Sequence, residues 1–131
     1  MQLNVTTDYA IRTILLLAMK DEPVTSQEIS QTMKIPKDYV ITMMKRLKDQ
    51  RIVESRRGIT GGYRLTKDPW DISLLEIIKT MEGTTKINRC LEKDHYCSRK
   101  AAETCPVRAH YEKLQRLIDD NLSSITIDCL I

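Results

Sequence analysis

A chain of 131 residues holds one domain with at most a small appendage, which excludes barrel enzymes and two-domain dehydrogenases. Charged residues at 30%, hydrophobic residues at 41%, four Gly and four Pro describe a folding chain, not a disordered, low-complexity or collagen-like one. The net charge of +3 is unevenly spread: residues 34–67 carry ten Lys or Arg against three acids (+7), and the remainder eleven against fifteen (−4). A basic quarter on an acidic remainder is the footprint of a nucleic-acid face.

With one Trp, five Tyr and no Phe, the core must be aliphatic. The longest apolar run, Ile14 to Met19, falls far short of the ~18 to 20 residues of a membrane span. Met1 to Asn4 lacks the basic-then-apolar pattern of a signal peptide. The expected location is cytoplasmic, where disulfides are disfavoured and four Cys call for another explanation.

Residues 7–20 read as a helix with Thr6 or Thr7 as N-cap, Asp8 in the first turn, and Ile11, Ile14, Leu15 and Ala18 at helical spacing. Pro23 stops it. Thr25 and Glu28 form a capping box. They open a short helix with Ile29 and Met33 inward, ending near residues 34–36. The next helix starts at Pro36 or Lys37, with Val40, Met43, Met44 and Leu47 as its apolar stripe and Lys37, Asp38, Thr42, Lys45 and Lys48 outside. Two short helices joined by a tight turn, the second basic outside, make a helix-turn-helix. Strands follow over 52–56 and 62–66, joined by the Gly-containing turn 57–61. The predicted fold class is mainly α with a small β hairpin: a winged helix-turn-helix DNA-binding domain with a long C-terminal dimerisation helix.

A further helix is expected over 71–82, with Asp71 as N-cap, Ile72, Leu75, Ile78 and Met81 inward and Gly83 as terminator. Periodicity is then lost from 84 to 104. It returns after Cys105-Pro106 with Val107, Tyr111, Leu114, Ile118 and Leu122, a narrow seam suited to a dimer. The expected organisation is a DNA-binding domain over 1–83, a cysteine loop over 84–105, and a dimerisation helix with tail over 106–131.

Cys90, Cys97 and Cys105 are separated by six and seven residues in a charged loop. Three thiols in one polar loop are not core residues. Their spacing is not the two-residue spacing of zinc ribbons. They suit an iron–sulfur cluster with a fourth ligand from elsewhere, zinc with His95 or His110, or a thiol sensor. Cys129 reads as a tail or packing residue. Enzyme chemistry lacks its parts: two His, no nucleophile elbow, no phosphate loop and no supported carboxylate pair. A small iron–sulfur electron carrier would not need the basic hairpin.

The run Thr7-Asp8-Tyr9-Ala10-Ile11-Arg12, the helix-turn-helix, the segment Arg57 to Leu65 and the three-Cys loop before a long helix together resemble one family over essentially the whole chain. It is the Rrf2 family of winged-helix iron–sulfur transcriptional regulators, typified by IscR and NsrR. The resemblance implies a homodimeric regulator of double-stranded DNA with a palindromic operator. Cys90, Cys97 and Cys105 would hold the cluster. The IscR-like branch has a His three residues after the last Cys, where this chain has Arg108. The NsrR-like branch uses an Asp near the partner's N-terminus, and Asp8 matches it. The closer likeness is therefore to the NsrR-like branch, with a 4Fe-4S cluster favoured over 2Fe-2S, and with nitric oxide, redox or iron status as the signal of a repressor. A same-family regulator without a cluster, zinc-bound or responsive to a thiol signal or a partner, is the alternative. The expected DNA contacts are Ser26, Gln27, Lys37, Tyr39, Thr42, Lys45, Arg56 and Arg57, with Gly61 and Gly62 forming the wing tip.

Overall fold

A computed structural model describes residues 1–131. The order is α1 (Val5–Ala18), α2 (Ser26–Met33), α3 (Lys37–Asp49), β1 (Val53–Arg56), β2 (Gly62–Leu65), α4 (Leu74–Glu82) and α5 (Pro106–Ser124), with short 3-10 turns at Pro69–Asp71, Arg89–Leu91, Ala102–Thr104 and Ile127–Leu130. The fold is a mostly helical winged helix with one two-stranded antiparallel sheet. No helix is long and apolar enough to cross a membrane.

Thr25 caps α2 as its sequence predicts, its hydroxyl accepting from the Glu28 N–H at 3.1 Å. The α2 helix stops where Lys34 enters the left-handed region at φ 56°, and the Ile35 N–H returns to the Ser30 carbonyl at 3.1 Å. All four stripe residues of α3 (Val40, Met43, Met44 and Leu47) are fully buried. Their layer includes Ala10, Ile14 and Leu17 of α1, Ile29 of α2, and Ile77 and Met81 of α4.

The strands pair Val53 with Leu65 and Arg56 with Gly62. Val24 joins β2 as a third edge, exchanging two backbone hydrogen bonds with Tyr63 at 2.8 and 2.9 Å. This contact anchors the wing to the segment that leads into α2.

Each strand is one residue shorter than expected, and three helix boundaries differ from the sequence expectation. Helix α1 starts at Val5, so Thr6 and Thr7 lie inside it and neither is the cap. The capping partner is distant. The Glu82 carboxylate accepts from the Asn4 N–H and Asn4 Nδ2, each at 2.8 Å, and from the buried Thr7 hydroxyl at 2.5 Å. The α1 helix also ends at Ala18, with Met19 as C-cap. Helix α4 begins at Leu74 and not at 71. Asp71 closes the Pro69–Asp71 turn, and the Ser73 hydroxyl is the cap, accepting from the Glu76 N–H at 3.2 Å. This shifts the buried face, so Ile77 is fully buried and Leu75 only half-buried.

In α5 the one buried residue is Gln115. The inward seam runs Tyr111, Gln115, Ile118, Leu122, while Val107 and Leu114 are exposed. Beyond α5 the chain returns to the first domain. Thr126 bridges Ser73, the Ile127 N–H donates to the Ile72 carbonyl at 2.9 Å, and Ile127 is fully buried in the core. The tail is thus a structural element of the winged helix.

Candidate nucleic-acid interface and cysteine pocket

On α3, Lys37, Tyr39, Thr42 and Lys45 are all exposed. Their outward direction follows from the buried stripe, which occupies the opposite side of a 3.6-residue period. The Thr42 hydroxyl donates back to the Asp38 carbonyl at 3.2 Å, leaving its oxygen to accept. Tyr39 packs edge-to-face on Tyr9 of α1, with centroids 5.5 Å apart, so it is partly a structural contact. Gln27 is exposed and Ser26 half-buried in the first turn of α2.

Not every base in the basic segment is available. Arg46 donates from Nη1 to the Met81 carbonyl at 2.9 Å. Arg64 pairs with Glu54 across the hairpin, and Arg56 lies 4.0 Å from the same carboxylate. Lys48 donates to the Ser55 hydroxyl at 2.9 Å, which ties the recognition helix to β1. Arg57, Lys37 and Lys45 remain free for phosphates, the contacts that set position and salt dependence.

The wing glycines answer to packing inside the protein. A Cβ at Gly61 would run into the Arg56 carbonyl oxygen, and one at Gly62 would lie 2.7 Å from the Val24 carbonyl. Gly62, at φ +145°, lies in β2 against Val24 and is not part of the wing tip. The tip is the turn from Gly58 to Gly61, closed by the Gly61 N–H donating to the Gly58 carbonyl at 3.0 Å. Ile59 projects from it fully exposed.

The loop after Gly83 brings Cys90, Cys97 and Cys105 to one cavity of about 290 Å³, shared with Tyr96, Val107, Arg108 and Tyr111. Two of the three sulfurs accept an N–H hydrogen bond. Asn88 Nδ2 donates to Cys90 Sγ at 3.3 Å, and the Arg108 N–H donates to Cys105 Sγ at 3.5 Å. Backbone N–H groups of Ala101 and then Arg99 hold the Cys97 thiol below the usual cysteine range. Cys105 is the N-cap residue of α5. No three Cys, His, Asp or Glu side chains converge in metal-holding geometry. As a donor set the residues fit an iron–sulfur cluster: three soft thiols line one partly apolar cavity, and Cys90 and Cys105 accept N–H hydrogen bonds.

The histidines do not join them. His95 faces a different, polar cavity with Arg116 and Asp119, and its Nδ1 lies 3.4 Å from Glu103. His110 is exposed on α5 and lines neither cavity. Asp8 is an exposed carboxylate in an i,i+4 ion pair with Arg12. The Arg12 guanidinium in turn stands 5.4 Å from the Tyr9 ring centroid. Cys129 is exposed at the tail, 3.4 Å from the Thr126 hydroxyl.

Two residues that sequence reasoning missed build the loop. Arg108, with a side chain only 11% exposed, donates from Nε to the Cys90 carbonyl at 3.1 Å and pairs with Glu112. Gln115 accepts from the Ile87 N–H at 2.8 Å and donates to the Thr85 carbonyl at 2.9 Å. Its only sequence signal is a polar residue interrupting the apolar seam. Arg89 and Asp94 pair side by side, which holds the Asp94 carboxyl below its ordinary range.

A winged helix with a free basic recognition helix defines a DNA-binding transcriptional regulator. The Rrf2 family, described as iron-dependent transcriptional regulators, matches residues 3–131, and the chain belongs to that family. It is 28% identical to the HTH-type transcriptional repressor NsrR of Streptomyces coelicolor, over all of this chain and 88% of that protein. It is 30% identical to the HTH-type transcriptional regulator IscR of Klebsiella pneumoniae, over 94% of this chain and 75% of that one. In fold it matches CymR, the global cysteine regulator of B. subtilis, with a TM-score of 0.80 at 23% identity, covering 99% of this chain and 95% of that one. These relatives are regulators and not enzymes.

Proposed function

We propose that the protein is a cytoplasmic homodimeric repressor that binds a palindromic operator and senses nitric oxide, redox or iron status through an iron–sulfur cluster. The observation that carries this reading is the shared cavity of Cys90, Cys97 and Cys105, with N–H donors at Cys90 and Cys105. Those three thiolates, with Asp8 of the second subunit, would hold a 4Fe-4S cluster. When bound, it supplies a centre that reacts with nitric oxide and oxygen, most readily at a carboxylate-ligated iron.

The chain's own residues define what loss of that centre changes. Asp8 pairs with Arg12, whose guanidinium lies over Tyr9, and Tyr9 meets Tyr39 of the recognition helix edge-to-face, so Asp8 held as a ligand would leave Arg12 unpaired at the head of this chain of contacts. Val107, Leu114 and Leu117 leave 52%, 42% and 68% of their surface exposed on one long helix, which supports α5 as the dimer helix. The domain limits of 1–83, 84–105 and 106–131 belong to the same reading, with the tail from Ile125 now added to the first unit.

A second reading keeps the regulator and drops the cluster. It is favoured by the Asp8–Arg12 ion pair and by the lack of converged metal donors. A thiol signal at Cys97 would then replace the cluster. Anaerobic purification with an absorption spectrum and iron and sulfide analysis tests the choice. About four irons per chain support the Cys-plus-Asp8 cluster, and about two move the protein towards a 2Fe-2S site. A colourless, metal-free protein refutes the cluster. A triple Cys→Ala variant that binds and releases DNA like the parent, with and without nitric oxide, refutes sensing at this loop.

A further inference from the structure

The recognition helix carries one exposed apolar side chain that the fold does not use. Ile41 is 55% exposed and lies outside the stripe of Val40, Met43, Met44 and Leu47. A β-branched residue at an open helix position has no propensity rationale, since Ala, Lys or Glu would form the helix better. Isolated exposed apolar residues are common, so exposure alone says little. The neighbours say more. Ile41 follows Lys37 by four residues and precedes Lys45 by four, so the three share one ridge of α3, with Thr42 beside them. All four are exposed, and neither lysine is held by a carboxylate.

An apolar spot between two unpaired cations on a DNA-reading helix matches one chemistry. Phosphates answer the lysines. Within the major groove the apolar group on a base edge is the thymine C5 methyl. We propose that Ile41 is a specificity-determining residue that packs on a thymine methyl in each half-site, selecting an A·T pair at one position. Ile59, exposed at the wing tip, has no such partner in a minor groove, where no methyl is displayed. The inference rests on the reading of α3 as the DNA-binding helix and deepens it by naming what one position reads.

Deoxyuridine tests this directly, because it keeps the base pairing of thymine and lacks only the methyl. The operator is first selected from random duplexes with the full-length parent. Each half-site thymine is then replaced by deoxyuridine in turn, and binding is measured for the parent, Ile41→Ala, Ile41→Val and Lys45→Ala. One thymine position is expected to weaken parent binding about fourfold per half-site when its methyl is removed, the equivalent of one buried methyl group. Ile41→Ala should bring that ratio to about one, Ile41→Val should retain part of it, and Lys45→Ala should weaken both duplexes while preserving it. If no thymine position has a ratio that collapses in Ile41→Ala, while the parent still selects an operator, the assignment of Ile41 is wrong. A parent that shows no salt-dependent or sequence-selective binding overturns the DNA reading of α3 and this inference with it. Ile41 is exposed, so a far-ultraviolet spectrum of the variants should match the parent, and one that does not sends the test to Ile41→Val alone.

Discussion

Removing Glu82 should destabilise the whole domain, because this side chain closes α1 from 78 residues away. In Glu82→Ala three donors lose their acceptor: the Asn4 N–H, Asn4 Nδ2 and the Thr7 hydroxyl. The two Asn4 bonds are exposed, so water replaces much of their worth and together they contribute about 1 kcal/mol, a typical cap. Thr7 is fully buried. Its bond to a carboxylate, and the unsatisfied hydroxyl left behind, add about 2 kcal/mol. The expected loss is about 3 kcal/mol, or about 10 °C in Tm for a chain of this size. Glu82→Gln keeps an oxygen for the Asn4 N–H and Thr7 but sets an amide against Asn4 Nδ2, so roughly half the loss is expected.

Urea unfolding followed by circular dichroism measures it, with an unchanged slope as the sign that the native state is otherwise intact. A double-mutant cycle with Thr7→Val isolates the buried bond. A loss below about 1 kcal/mol in Glu82→Ala, or additivity in that cycle, refutes the account of how α1 is capped.

Other perturbations separate the remaining parts. Lys45→Ala should weaken binding to all sequences alike and lower the slope of log affinity against log salt by about one unit, and an unchanged slope removes Lys45 from the phosphate contacts. Gly62→Ala should cost about 2 kcal/mol or more, since its Cβ would meet the Val24 carbonyl at 2.7 Å with φ at +145°. Gly83→Ala, with φ +81° but open space, should cost only about 1 kcal/mol. Comparable losses in the two would mean that Val24 does not press on the wing. In protein stripped of metal, a lowered thiol pKa raises the thiolate fraction at a given pH. Alkylation of Cys97 should therefore level off at lower pH than for a free cysteine, as read by mass spectrometry of the modified peptide. A rate that climbs through the ordinary cysteine range would show that the Ala101 and Arg99 N–H groups do not engage the sulfur.

What could be read from the sequence was local in origin. The cap of α2 needs only Thr25 and Glu28, and the stripe of α3 needs only residues 40–47. The hairpin announces itself by a Gly-containing turn between short β-prone runs. The start of α1 could not be read, because its cap is a carboxylate at the far end of α4. The start of α4 was misplaced because two adequate caps, Asp71 and Ser73, stand two residues apart, and Pro69 draws the first into a separate turn. Nothing in Ile125 to Ile131 distinguishes a docked tail from a loose one, since the partner of Ile127 is Ile72, 55 positions earlier. At the cysteine loop the thiols were legible as a set. Their N–H donors and the Arg108 clamp on the Cys90 carbonyl were not, as each depends on how the loop folds onto α5.

Two chains of contacts reach the recognition helix, one from the first turn of α1 and one from the last turn of α4. One runs from Asp8 through Arg12 and Tyr9 to Tyr39. The other leaves the last turn of α4, where the Met81 carbonyl holds Arg46 of α3 and the adjoining Glu82 holds the start of α1. The next residue, Gly83, opens the loop. The apolar stripe of α3, by contrast, is wholly buried, and a packed core resists small continuous deformation. Exposed ion pairs and edge-to-face ring contacts exchange partners at about 1 kcal/mol, whereas exposing the stripe would cost several times that. Under the proposed function, a change at Asp8 or Gly83 would move α3 as a rigid rod about its buried face. In a dimer such a movement changes the separation of two half-site readers, the variable to which a palindromic operator is most sensitive.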